Sequence, residues 1–106
     1  MIKFNRFFGH VIGGPVWIRL IFSQTIDRLE PFERHEAFAA TSIKCQRDLD
    51  FSHDKLDVNG GCIALGHPMG ATGGIMMGTL IDELERRQLK IGIIAASSAA
   101  LLIECL

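Results

Sequence analysis

Residues 57–89 read DVNGGCIALGHPMGATGGIMMGTLIDELERRQL, and this stretch decides the fold. Between Gly60 and Gly78 lie seven of the eleven glycines of the chain. Glycine loses more conformational freedom on folding than any other residue, so such density needs a structural reason. Two are available: backbone at positive φ, or close approach of other atoms to the main chain. From Gly70 to Leu89 the pattern turns helical, with Met76, Leu80 and Leu84 four apart and Met77 and Ile81 beside them. The later turns carry Asp82/Arg86 and Glu83/Arg87 pairs in the favourable i,i+4 order. Small residues first and amphipathic turns later predict a helix buried at its start and exposed at its end.

Downstream, Ile91 to Ala96 and Ala99 to Ile103 are short apolar runs that read as strands buried on both faces, with a tight connection through Ala96–Ser98. Upstream, Glu36 to Leu49 reads as a helix. Phe38, Ile43 and the Ala37/Ala39/Ala40 cluster supply its apolar face, and Lys44, Gln46, Arg47 and Asp48 its solvated one. Pro31 breaks any helix attempted between Thr25 and Phe38, and Asp50 to Asp54 is a polar connection. The order is helix, glycine loop, long helix, strand, strand. Helices packed on a mixed sheet, an α/β fold, is the natural class.

The 106 residues, 48% hydrophobic and 22% charged, suit one globular domain. Eleven Lys and Arg against twelve Asp and Glu leave a net charge of −1, which gives no electrostatic reason to expect nucleic acid or an anionic membrane as partner. A mean hydropathy of +0.26 speaks against disorder. Cys45, Cys62 and Cys105 form no paired or metal-type spacing, so a reducing compartment, the cytoplasm first, is expected. The first twenty-four residues contain Lys3, Arg6 and Arg19 but no acid. That shift divides the chain into a divergent segment, 1–24, and a domain, 25–106. Phe7 to Phe22 is apolar but interrupted by His10, Gly13, Gly14, Pro15 and Arg19, too broken to span a bilayer, and reads as a buried strand or a remnant of a longer protein.

Chemistry centres on Gly66-His67-Pro68. Proline holds the residue before it in extended geometry, so His67 stands outside the following helix, with Pro68 at or near its first turn. An imidazole at a helix N-terminus is kept neutral by the dipole, able to accept a proton or donate to a developing oxyanion. Phosphate-loop readings fail, because GHPMGATGG lacks a Gly-Lys-Ser/Thr ending and no G-x-G-x-x-G occurs. His35, Cys62 and His67 are ligand types, but their sequence spacing is not that of a metal site, and none is expected. No G-x-S-x-G surrounds Ser97.

Asp57 to Gly73 resembles the signature of the C-terminal half of thiolases, and His35-Glu36-Ala37-Phe38-Ala39-Ala40 resembles the Asn-Glu-Ala-Phe motif of the same family. The resemblance runs from about Thr25 to Ile94, with Gly13-Gly14-Pro15-Val16 a faint echo further upstream. It implies α-β-α layering, here of an incomplete C-terminal half. It also implies acyl transfer between coenzyme A thioesters: thiolysis of 3-oxoacyl-CoA or the reverse Claisen condensation, in fatty acid metabolism. No tightly bound cofactor is implied, only a coenzyme A thioester as substrate. His67 would match the histidine that activates the nucleophilic cysteine and helps form the oxyanion hole. His35 stands at the Asn that holds a water in that hole, as it does in the sterol-carrier-linked branch. The two should then face one cleft.

Departures from the pattern are equally informative. The half that carries the nucleophile in the family has no counterpart here, and Ala95 to Ala99 replaces the Cys-x-Gly-Gly-Gly loop. Cys105 does not match that loop, and Cys62 takes the place of a small residue, where packing is the expected role. The chain is therefore expected to be inactive alone. The alternatives are a piece complemented by a separate N-terminal half, or a non-enzymatic binding or scaffold module. Self-association is expected, and mitochondrion or peroxisome are compatible locations.

Overall fold

The computed structural model describes residues 2–8, 31–50, 52–96 and 99–105. The Gly13–Val16 echo, the shift near Gln24 and the Ser97–Ser98 connection lie outside them. Strands β1 (Ile2–Phe8), β2 (Phe32–Arg34), β3 (Ile91–Ala95) and β4 (Ala99–Cys105) form one mixed sheet in the order β1-β4-β3-β2. β4 is antiparallel to both neighbours, pairing Ile2 with Cys105 and Ile94 with Leu101. β2 runs parallel to β3, Phe32 opposite Ile93 and Arg34 opposite Ala95. Between β2 and β3 come helices α1 (Ala39–Leu49), α2 (Cys62–Leu65) and α3 (Thr72–Arg87), with a 3₁₀ turn at His53–Lys55.

Alternation along the strands builds two cores on opposite faces of this sheet. Ile93 and Ala95 of β3 pack with Cys45 and Leu49 of α1 and with Leu56, flanked by Ala100 and Leu102 of β4. Ile94 and Ile103 pack on the other side with Met76, Leu80 and Leu84 of α3. The result is the expected α/β fold with helices on both faces. Gly92 lets α3 lie flat on β3, because a Cβ there would come within 2.7 Å of Leu80 Cδ1.

Several expectations are corrected. Strands β1 and β2 were not read from the sequence, since β2 is three residues of mixed character on an edge. α1 starts at Ala39 and buries Ser42, Cys45 and Leu49, an i, i+3, i+7 stripe. Phe38 and Ile43 point the other way, 73% and 48% exposed, so the expected apolar face is the outer one. α3 buries Met76, Leu80 and Leu84 as expected, but its glycine-rich start is not covered: Gly73, Gly74 and Gly78 are exposed and a Cβ at any of them would meet nothing within 4 Å. Arg86 turns away from Asp82 to join Arg87 on Glu83. α1 ends on Asp50 and α3 on Gln88, both in the left-handed conformation that closes a helix C-terminus.

Candidate functional site

His35 follows directly on β2, and its backbone N–H donates to Ala95 O at 2.8 Å, continuing the pairing with β3. That places its ring beyond the carboxyl ends of two parallel strands, where open α/β sheets place their ligand crevices. The loop opposite is tied down at three points. Arg34 N–H donates to Asp57 Oδ1 at 2.6 Å, Asn59 Nδ2 to Glu83 Oε2 at 3.0 Å, and Ile63 N–H to Glu36 Oε2 at 3.1 Å. Gly61 is required by close approach, because a Cβ there would overlap the Glu36 carboxylate. Gly66 is required by its φ of +89°, which turns the chain out of α2 toward His67.

These ties bring His35 and His67, thirty-two positions apart, to a ring-centroid distance of 4.3 Å with planes tilted by 42°. His35 is half-buried and His67 exposed. His67 Nδ1 lies 2.8 Å from Thr72 Oγ1, the first residue of α3, whose hydroxyl also reaches Pro68 O at 3.1 Å. Pro68 lies just before the first turn of the helix. It precedes a separate turn whose Ala71 and Thr72 amides donate to its carbonyl. Burial, the His67 imidazole and the Arg34 guanidinium lower the pKa of His35 below the ordinary histidine value, against the pull of Glu36.

Cys62 does more than pack. Its Sγ is 3.1 Å from His35 Nδ1, and the ligand atoms of His35, Cys62 and His67 all fall within 4.8 Å of one another. A shallow, open hollow adjoins them, lined among others by Glu33, Cys62, Gly66 and Thr72. Glu33 is 2% exposed, and burial, then the neighbouring Asp57, Glu83 and Glu36, push its pKa up to about 8. Burial outweighs the Arg34 amide at Asp57 and lifts that carboxyl to about 7. Sequence reasoning missed Thr72, Glu33 and Asp57 as parts of the site. A threonine five residues after the histidine was the signal available for the first; burial of the two acids leaves no local trace.

A family profile described as thiolase, C-terminal domain, matches residues 21–102. This chain belongs to the thiolase family. A 3-ketoacyl-CoA thiolase of Aliivibrio salmonicida is 46% identical over 72 residues, covering 65% of this chain and 19% of the relative. A peroxisomal 3-ketoacyl CoA thiolase of Petunia hybrida is 45% identical over 62 residues, 58% of this chain and 13% of the relative. The crystal structure of the Bacillus anthracis acetyl-CoA acetyltransferase superposes with a TM-score of 0.82 at 32% identity, over 97% of this chain and 29% of that one. The chain thus spans less than a fifth of the length of these two curated thiolases. No helix among the described residues is long and apolar enough to cross a membrane.

Proposed function

We propose that this chain is the C-terminal piece, residues 25–106 behind a divergent 1–24 segment, of a thiolase-type acyltransferase acting on coenzyme A thioesters. The observation that carries the reading is the His35–His67 pair, 4.3 Å apart at the carboxyl ends of β2 and β3. In this reading the Thr72 contact holds the His67 ring so that its second nitrogen faces the reacting thioester. There it takes the proton of an attacking thiol and donates to the thioester oxygen as charge develops. His35, kept neutral by its lowered pKa, supplies a second N–H to the same oxyanion. The nucleophilic thiol and the second proton-moving cysteine of the family are not among these 106 residues, so the chain alone forms no acyl-enzyme.

Complementation by a separate N-terminal half is favoured over a scaffold role by one observation. Phe38, Ile63, Leu65, Met69 and Ile75, all at or near the site, are exposed apolar side chains of the kind a partner covers. The place of such an enzyme is fatty acid metabolism. Three free cysteines fit the cytoplasm, and mitochondrial or peroxisomal matrices equally.

The test is acetoacetyl-CoA thiolysis by the purified chain, alone and co-expressed with the N-terminal half of the Bacillus anthracis relative. No turnover alone, and turnover in the complemented pair that is lost in His67→Ala, is the expected result. Turnover by the chain alone, after mass-spectrometric exclusion of host thiolase, overturns the proposed inactivity. A stable pair whose activity is indifferent to His67→Ala overturns the proposed role of that residue.

A further inference from the structure

We propose that His35, Cys62 and His67 form a zinc site with three protein ligands and one open position. The donor set is two imidazoles and one thiol, which suits zinc, a borderline-soft ion that takes nitrogen and sulfur in tetrahedral array. Zinc–nitrogen bonds of about 2.0–2.1 Å and zinc–sulfur bonds of about 2.3 Å place tetrahedral ligand atoms roughly 3.3–3.7 Å apart. His35 Nδ1 and Cys62 Sγ already stand 3.1 Å apart, and all three donors lie within 4.8 Å of one another. Closing the set needs His67 to approach the other two, and His67 is exposed on a loop with Gly66 before it and Gly70 after.

The surroundings are those of a prepared ligand set. The Thr72 hydroxyl donates to Pro68 O, so toward His67 Nδ1 it acts as acceptor. The Nδ1–H is thereby fixed and the Nε2 lone pair is left for a metal, the same support that metal-ligating histidines receive from neighbouring oxygens. His35 and Cys62 come from segments twenty-seven residues apart, yet folding sets them in contact. One thiolate reduces the charge of a bound dication to +1, and the Glu36 carboxylate is anchored by the amide of Ile63, the residue after Cys62. Three ligands leave a fourth position for water or for the thiol of a small ligand. Zinc held here takes the His67 nitrogen that acyl transfer uses, so the metal-loaded chain is expected to be inactive in the complemented pair.

Cobalt(II) replaces zinc in such sites and reports on them by absorption. The full chain, reduced and metal-free, titrated with cobalt(II), should bind one equivalent with tetrahedral d–d bands and a thiolate charge-transfer band, and zinc should displace it. Cys62→Ala should abolish the charge-transfer band and His67→Ala should abolish tight binding. Thr72→Val should weaken affinity about 10-fold through loss of the ring support. His53→Ala and Cys105→Ala should leave binding unchanged. His67 is exposed, so its replacement removes a ligand without removing core packing, and far-ultraviolet circular dichroism confirms the fold of each variant. Failure to bind cobalt, or a charge-transfer band that survives Cys62→Ala or disappears in Cys105→Ala, overturns the proposal. Because the readout is metal absorption, a negative complementation assay leaves it untouched.

Discussion

At the scale of single residues, Glu83 joins the glycine loop to the long helix. It is 1% exposed, accepts from Asn59 Nδ2, and is held by Arg86 and Arg87. The Arg86 hydrogen bonds first, then Asn59 and Arg87, overcome its burial and hold its pKa at about 2. Glu83→Gln should lower stability at pH 7 by about 1–3 kcal/mol, the loss expected when charge-assisted bonds become neutral ones. Since the carboxylate's contribution is present above about pH 4.5 and lost as pH falls through about 2, the gap between the two proteins should narrow on acidification. Equal melting temperatures at pH 7 would remove Glu83 from its place as the anchor of the loop.

At the scale of elements, the glycines of residues 60–78 separate into those the chain itself explains and those it does not. Gly61→Ala places a methyl on the Glu36 carboxylate and should cost about 1–3 kcal/mol, as overpacking does. Gly74→Ala, in the exposed first turn of α3 where a Cβ meets nothing, should stabilise by about 0.5–1 kcal/mol through helix propensity. Thermal melts of both variants at low protein concentration check the pair. A loss of stability in Gly74→Ala would mean that the small-residue face is covered in solution by another copy. The two variants thus distinguish glycine kept for local geometry from glycine kept for a neighbour.

At the scale of the whole molecule, buried acids set the pH response. Glu33 at about 8 and Asp57 at about 7 keep protons in the folded chain that the unfolded chain releases near 4.5 and 3.8. Where the native state holds more protons, stability falls as pH rises, here from about pH 4 to 8. Glu83 imposes the opposite slope toward pH 2. Urea midpoints should therefore peak near about pH 4, with the alkaline decline reduced in Glu33→Gln. A midpoint that is flat or rising from pH 5 to 8 would contradict this. The exposed apolar side chains, Met69 at 84% and Phe38 at 73% among them, predict association of the isolated chain and binding of an apolar dye. Concentration-independent sedimentation as a monomer, with no dye enhancement, would argue against it.

Periodicity along the sequence was enough to determine that a long helix with a Met76/Leu80/Leu84 stripe precedes two apolar strands, because those patterns are local and repeat at the period of the element itself. The Gly-His-Pro turn and its kinship were legible for the same reason: proline and glycine act on their immediate neighbours. Which face of α1 is buried was not legible, since Ala37, Phe38, Ala39, Ala40 and Ile43 offer an apolar stripe as good as Ser42, Cys45 and Leu49 until the sheet is in place. Nor were the two outer strands, whose pairing with β3 and β4 spans most of the chain. The contacts of Cys62 and His35, the raised acids and the Asn59 bond to Glu83 depend on groups far apart in sequence. Distances between such groups are properties of packing, and tertiary structure alone decided them.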